Sequence, residues 1–195
     1  MTSAGSAGEM DYHNYYDLES YLFRTVGPRF RDSGQLSALD FFCIVIWKAN
    51  RAKSRIAARL LRRGHPNLHE AVFELTRGIA KQGTPTDKLR YLLEDWRFRL
   101  PMASAILTVL YPDEFTIYDT RVRALLGEFA NLGSINSFER LWRGYKGFIE
   151  KVRQQAPDKS QLRDKDRYLW GKSFYEQLAA DIERRFSDNE LGVKQ

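Results

Sequence analysis

Cysteine is almost missing from this chain: Cys43 stands alone among 195 residues, so no disulfide framework can exist within it. Its neighbours Phe41, Phe42, Ile44 and Val45 mark it as a small buried hydrophobe rather than a nucleophile or a metal ligand. Histidine is also scarce, with three in the chain. His65 and His69, four apart with Glu70 beside them, have ligand spacing, but Pro66 intervenes and no third ligand is indicated, so no metal is expected. No uninterrupted apolar run approaches the roughly 20 residues a membrane-spanning helix needs, and no membrane association is expected. The glycines form no phosphate-cradling loop, and the sequence holds no G-x-S-x-G element. The small, polar start lacks the apolar centre of a signal peptide; residues 1–10 are expected as a disordered leader and 191–195 as a disordered tail.

What the chain does have is positive charge. A formal net charge of +6 and a pI near 9.4 favour an acidic partner, nucleic acid first and an anionic membrane surface second. With 43% hydrophobic and 13% aromatic residues it can bury one substantial core or two small lobes sharing one.

Periodicity is helical almost throughout. Apolar residues recur at helical spacing over Tyr15 to Val26, up to Gly27-Pro28, which reads as a stop. Ser37, with Asp40 three positions on, reads as the cap of a segment reaching Arg63 and breaking near Lys48 to Lys53. Helices follow over Asn67 to Lys81, Thr86 to Trp96, Ala103 to Leu110 and from Thr120 to Glu128 or Ala130. After a loop, Asn131 to Asn136, Ser137 opens a long helix with Phe138, Leu141, Trp142, Tyr145, Phe148, Ile149 and Val152 along one face. A last helix runs from Leu162 to Phe186 beyond Pro157. Phe115 to Tyr118 is the only strand-like piece and is too short to imply a sheet. The fold class expected is therefore all-α.

Two stretches carry chemistry. Lys48, Arg51, Lys53, Arg55, Arg59, Arg62 and Arg63 follow one another with no acidic residue between them, a pattern suited to a phosphate backbone; the plainer alternative is a solvated helix face paired to acids from elsewhere. In the second stretch, an apolar run ending at Tyr118 is followed by Asp119 and the basic helix start Thr120-Arg121-Val122-Arg123. A carboxylate there can accept hydrogen bonds from the orphan amides of that helix, whose dipole favours negative charge. Asp119 is thus either a plain cap or a group that stabilises a developing cation. Trp47, Trp96, Trp142 and Trp170 read as core anchors, although Trp47 and Trp96 adjoin basic segments and are also candidates for stacking on an unpaired base.

Residues 101 to 125 resemble the core of the helix-hairpin-helix DNA glycosylase superfamily, whose signature runs L-P-G-V-G-x-K-T-A, a helix, a short loop and V-D-T-H-V. Aligned without gaps on the aspartate, Ala103 meets the signature alanine, Ser104 to Leu110 the second hairpin helix, and Tyr118-Asp119-Thr120-Arg121-Val122 the V-D-T-H-V element. The close likeness is confined to this stretch of the chain. Pro101 stands where bifunctional members carry the attacking lysine, so no β-lyase activity is expected: proline has no side-chain amine. Arg97 and Arg99 stand at the hairpin glycines, where two guanidinium groups could replace backbone contacts to phosphate.

The resemblance implies a two-lobed helical fold with a central cleft containing Asp119: one domain over residues 11–190, its central lobe spanning about 37–130 and its second lobe built from both chain ends. It implies a monofunctional DNA N-glycosylase, a hydrolase of N-glycosyl bonds acting in base excision and DNA repair. Such an enzyme would rotate a damaged or modified base out of duplex DNA, with ionised Asp119 stabilising positive charge on the sugar. Lys48, Arg51, Lys53, Arg55, Arg97, Arg99 and Arg121 are the DNA-binding candidates, and Trp47 and Trp96 the base-pocket candidates. No cofactor is implied, and a monomer in the cytoplasm, nucleoid-associated in a bacterium, is expected. Two alternatives stay open: a non-catalytic DNA-binding module that keeps the fold, and a helical domain that meets protein or RNA.

Overall fold

The computed structural model describes residues 12–156 and 161–184, and all regular structure among them is helical. The expected leader and tail, the Pro157 break and Phe186 lie outside the described residues. In chain order the helices are α1 (His13–Tyr16), α2 (Leu18–Tyr21), α3 (Gly27–Ser33), α4 (Ala38–Ala49), α5 (Lys53–Leu61), α6 (Leu68–Lys81), α7 (Pro85–Arg90), α8 (Leu100–Leu110), α9 (Thr120–Leu126), α10 (Phe138–Gln155) and α11 (Leu162–Arg184). They fall into two compact units, Met1–Thr76 and Arg77–Gln195. The units are consecutive in sequence and meet within α6, a division that differs from lobe boundaries near 37 and 130.

In the first unit the expected stop at Gly27-Pro28 is not a stop. A wide π turn, Leu22–Val26, closed by the Gly27 N–H on Leu22 O, shifts the hydrogen-bond register just before proline, whose nitrogen has no hydrogen to give. The helix continues to Ser33 and ends at Gly34, left-handed at φ 70. Ser37 caps α4 as expected, its hydroxyl accepting from the Asp40 amide at 3.0 Å. A 3-10 turn, Asn50–Ala52, forms the expected break before α5. Leu22, Val26, Phe30, Phe41, Ile44, Val45, Ile56 and Leu60 are among the buried residues of this unit.

The second unit is built on α8. Every residue of that helix except Pro101 is buried, and its apolar residues run all round it, as in a helix enclosed on all sides. Pro101 sits in its first turn, where a missing N–H costs nothing. The face expected of α10 is the buried one, with Phe138, Leu141, Tyr145, Phe148, Ile149 and Val152 inside and Trp142 half-buried. Helix α9 ends at Leu126, earlier than expected, because Gly127 turns left-handed at φ 72. Residues 115–118 form no regular secondary structure, and among the described residues there is no β-strand. No helix among them is long and apolar enough to cross a membrane.

Asp40 is the polar centre of the first unit. At 2% exposure its carboxylate accepts from Tyr21 Oη at 2.6 Å and from Arg29 Nη1 at 3.0 Å. Burial and the hydrogen bond to that carboxylate push the Tyr21 phenol well above its ordinary value. Arg29 is half exposed, which leaves its ion pair partly screened by solvent. Asp40→Ala is expected to lower stability by about 2–3 kcal/mol, chiefly by orphaning the tyrosine hydroxyl. Chemical denaturation of the variant checks this, and a loss under about 0.5 kcal/mol would show that water replaces the carboxylate.

Candidate functional site

Asp119 is presented by a short irregular run whose backbone is tied into the core on both sides. The Tyr118 amide donates to the fully buried Ser104 Oγ on α8 at 2.9 Å, and Tyr145 Oη on α10 donates to Thr116 O at 2.5 Å. The Tyr118 ring stands edge-on to Phe148 at 5.4 Å, and its hydroxyl donates to the Phe129 carbonyl. These contacts leave the run little freedom, so the direction of the next side chain is set by packing. Asp119 then caps α9: its Oδ1 accepts from the Arg121 amide at 2.9 Å while the residue stays half-buried. The cap expected from the sequence is real, and it sits on a rigid support.

A second carboxyl, which sequence reasoning missed, lies close to it. Asp166 on α11 is 2% exposed and is ion-paired with Arg163, itself mostly buried. Burial pushes its carboxyl up to about 6; Arg163 and the neighbouring Thr116 hydroxyl hold it down, and the negative charge of Asp119 adds to the rise. The Thr116 hydroxyl is fully buried and sits beside Asp166 short of good hydrogen-bond geometry. One signal in the sequence could have found this group. Leu162, Asp166, Leu169 and Ser173 form the buried stripe of α11 at spacings of four, three and four, and an acid in such a stripe is out of place unless something holds it.

The arginine expected to continue onto DNA from this point is partly engaged already. Arg121 Nη1 donates to Gln177 Oε1 at 2.8 Å, and its guanidinium lies 5.4 Å from the Trp170 ring and 5.3 Å from Phe174. Those two rings, one helical turn apart, are parallel within 4° at 5.6 Å. Trp170 is 44% and Phe174 43% exposed, so Trp170 is not the core anchor expected of it. The reason is position: it flanks the Leu162–Ser173 stripe rather than falling on it. Arg123 turns back on its own loop, donating to Ala130 O at 3.0 Å.

The other candidates divide between the units. Trp96 is 1% exposed and edge-on to Tyr91 at 6.3 Å, so it has no face for a base, which corrects the base-pocket expectation for it. Trp47, in the first unit, is half-buried with Phe23 edge-on at 5.6 Å. Arg97 and Arg99 are exposed beside the start of α8. Arg97 takes φ 56, a left-handed conformation that costs a side-chain-bearing residue about 1–2 kcal/mol and that glycine adopts freely. Lys48 is half-buried, while Arg51, Lys53 and Arg55 are exposed in the first unit, with Lys53 Nζ 3.2 Å from Asn50 Oδ1. Arg51, Arg55 and Arg59 recur every fourth residue, Arg51 in the 3-10 turn and the other two on α5, about 100° around from the buried Ala52, Ile56 and Leu60 that follow each of them.

Neither other feature with site-like composition adds to this arrangement. His65 Nε2 lies 3.5 Å from Glu74 Oε2, and no group of three or more His, Cys, Asp or Glu among the described residues is placed to hold a metal ion. A groove of about 590 Å³ on α10, lined by Phe129, Ile135, Arg140, Arg143 and Lys151, does not include Asp119.

Asp166 gives stability a pH dependence of definite sign. Its carboxyl ionises near 6 in the folded chain and near the ordinary 3.8 when unfolded, so the folded state favours the protonated form. That contribution is complete below about pH 4 and is lost as pH rises through about 6. The stability of wild type minus that of Asp166→Asn should therefore fall by about 3 kcal/mol between pH 4 and pH 7. Paired urea titrations across that range check it; a constant difference would mean that Asp166 is not sealed from water.

No family model, no curated protein and no solved structure matches this chain, so the chemistry of the site rests on its own residues.

Proposed function

We propose that the protein is a monofunctional base-excising hydrolase of DNA, in which Asp119 stabilises positive charge on the sugar while the N-glycosidic bond breaks. The observation that carries this reading is the mounting of that carboxylate. It is half-buried at the opening of α9, and the segment before it is pinned by Ser104 and Tyr145. A negative charge held in a fixed direction and partly shielded from water stabilises a developing cation better than a mobile one in solvent. The left-handed Arg97, standing where the glycosylase signature has glycine, adds support, since that turn conformation brings backbone close to a phosphate.

The chain's own residues supply the rest of the reading. Arg51 and Arg55 provide exposed cations in the first unit, and Arg97 and Arg99 provide two in the second, at the start of α8, each set suited to phosphate contact. Trp170 and Phe174 replace Trp96 as the surface for the extruded base, with Arg121 as a cation over both rings. Pro101 leaves no amine for a Schiff base, so strand cleavage by β-elimination is not part of the proposal.

A non-catalytic DNA-binding module is the second reading, and the bond from the Arg121 amide to Asp119 favours it, because a cap of this kind needs no chemistry to explain it. Excision assays separate the two. Against a panel of duplexes carrying damaged or modified bases, wild type should release free base, and Asp119→Asn should lose about 100-fold or more in rate while binding the duplex unchanged. Equal rates in the two proteins would remove Asp119 from the chemistry, and binding without any release would favour the module. Arg51→Ala with Arg55→Ala should weaken duplex binding uniformly across sequences and reduce the slope of log K against log salt by about 2. Titrations by fluorescence anisotropy at several salt concentrations check this, and an unchanged slope would take these two arginines off the DNA.

A further inference from the structure

The buried face of α11 brings a second acid to the side of Asp119. The segment from Thr116 to Arg121 lies along that helix and touches it at several levels: Thr116 beside Asp166, and Arg121 against Trp170, Phe174 and Gln177. Asp119 is in the middle of the segment so held. A carboxylate in the apolar stripe of a helix is costly, and an apolar residue there would pack as well. Arg163 offsets part of the cost by ion pairing, yet the pair as a whole still needs a reason to be where it is.

We propose that Asp166 is a positioning residue for the excision reaction, whose buried negative charge, oriented by Arg163, strengthens the field that Asp119 directs at the sugar. The inference rests on the reading of Asp119 given above. Asp166 touches no substrate, since it is sealed inside the unit, and it acts through its neighbour. The charged and titratable groups around it are Arg163 on its own helix, Asp119 at the mouth of α9 and Tyr145 on α10. Burial holds the Tyr145 phenol far above its ordinary value, so it stays neutral, and its hydroxyl is already donated to Thr116 O. Of these three, Arg163 and Asp119 contribute charge.

At a pH above the Asp166 titration its negative charge offsets the Arg163 cation beside it, and the cationic sugar meets the field of Asp119 undiminished by that cation. Below it, Asp166 takes up a proton and the positive charge of Arg163 is left uncompensated next to Asp119. Excision should accordingly fall on the acid side with an inflection near 6, the value at which Asp166 titrates. Asp166→Asn, which keeps the shape and removes the charge, should lower the rate about tenfold at pH 7.5 and abolish that inflection. A residue holding only the fold would change the amount of folded protein but leave the profile of the folded fraction as in wild type.

Coupling between two sites is reciprocal, so it can be read without turnover and without disturbing the buried pair. The probe is the side-chain carboxyl carbon of Asp166, followed by NMR across pH 4 to 8 in wild type and in Asp119→Asn. Removing the charge of Asp119 should lower the Asp166 midpoint. An identical midpoint in the two proteins would overturn the proposal, as would an Asp166→Asn enzyme whose pH profile matches wild type. Should no duplex in the panel be cut, the excision reading fails, while a shifted midpoint would still establish the coupled pair.

Discussion

The hydrogen bond from the Tyr118 amide to Ser104 Oγ is the contact on which the site depends. A chain leaving a buried helix through an irregular run carries backbone donors into an apolar interior, where each unpaired one is costly. Ser104, fully buried one helical turn into α8, answers one of them, and Tyr145 on α10 answers Thr116 O from the other side. Without these two side chains the run could not stay inside, and Asp119 would open onto a loop instead of standing at a fixed mouth of α9. A serine in a largely apolar helix thus determines where a carboxylate some fifteen residues later can point.

The two acids near that point live in different surroundings, and the difference gives the site its character. Asp119 is half-buried and takes a backbone N–H from the helix it opens. Asp166 is sealed and faces Arg163. Pairs of like groups in unlike settings are what acid, base and electrostatic roles are made from, because environment, rather than residue type, sets which form each group adopts. Around them Arg121 links the carboxylate to the exposed Trp170 and Phe174 through its own amide and guanidinium, so cation, aromatic surface and anion meet through a single residue.

Much of the fold was legible in the residues, because local signals and packing agreed. Ser37 and Ser137 cap the helices that their positions announced, and the stripe from Phe138 to Val152 is the buried one. Where the reading failed, a tertiary term outweighed a local one. Gly27-Pro28 reads as a stop, yet the π turn before it moves the missing donor out of register and the helix goes on. Trp96 kept the core-anchor role that its reading allowed, while Trp170 lost the one expected of it, for a similar reason. Both lie near basic residues, but the turn after α7 folds the first into the core while the register of α11 leaves the second on its flank.

From its amino acids alone the chain determined that it is helical, basic, free of disulfides and furnished with a capping aspartate before a basic helix, since periodicity, charge and cap chemistry are all local in sequence. Tertiary structure decided what surrounds that aspartate. The approach of Asp166 across more than forty residues, the stacking of Arg121 on two rings from α11 and the left-handed turn at Arg97 each depend on which helix faces pack together. Packing is a property of the whole core: a face is chosen by the sum of many small contacts, and no short window of residues contains that sum.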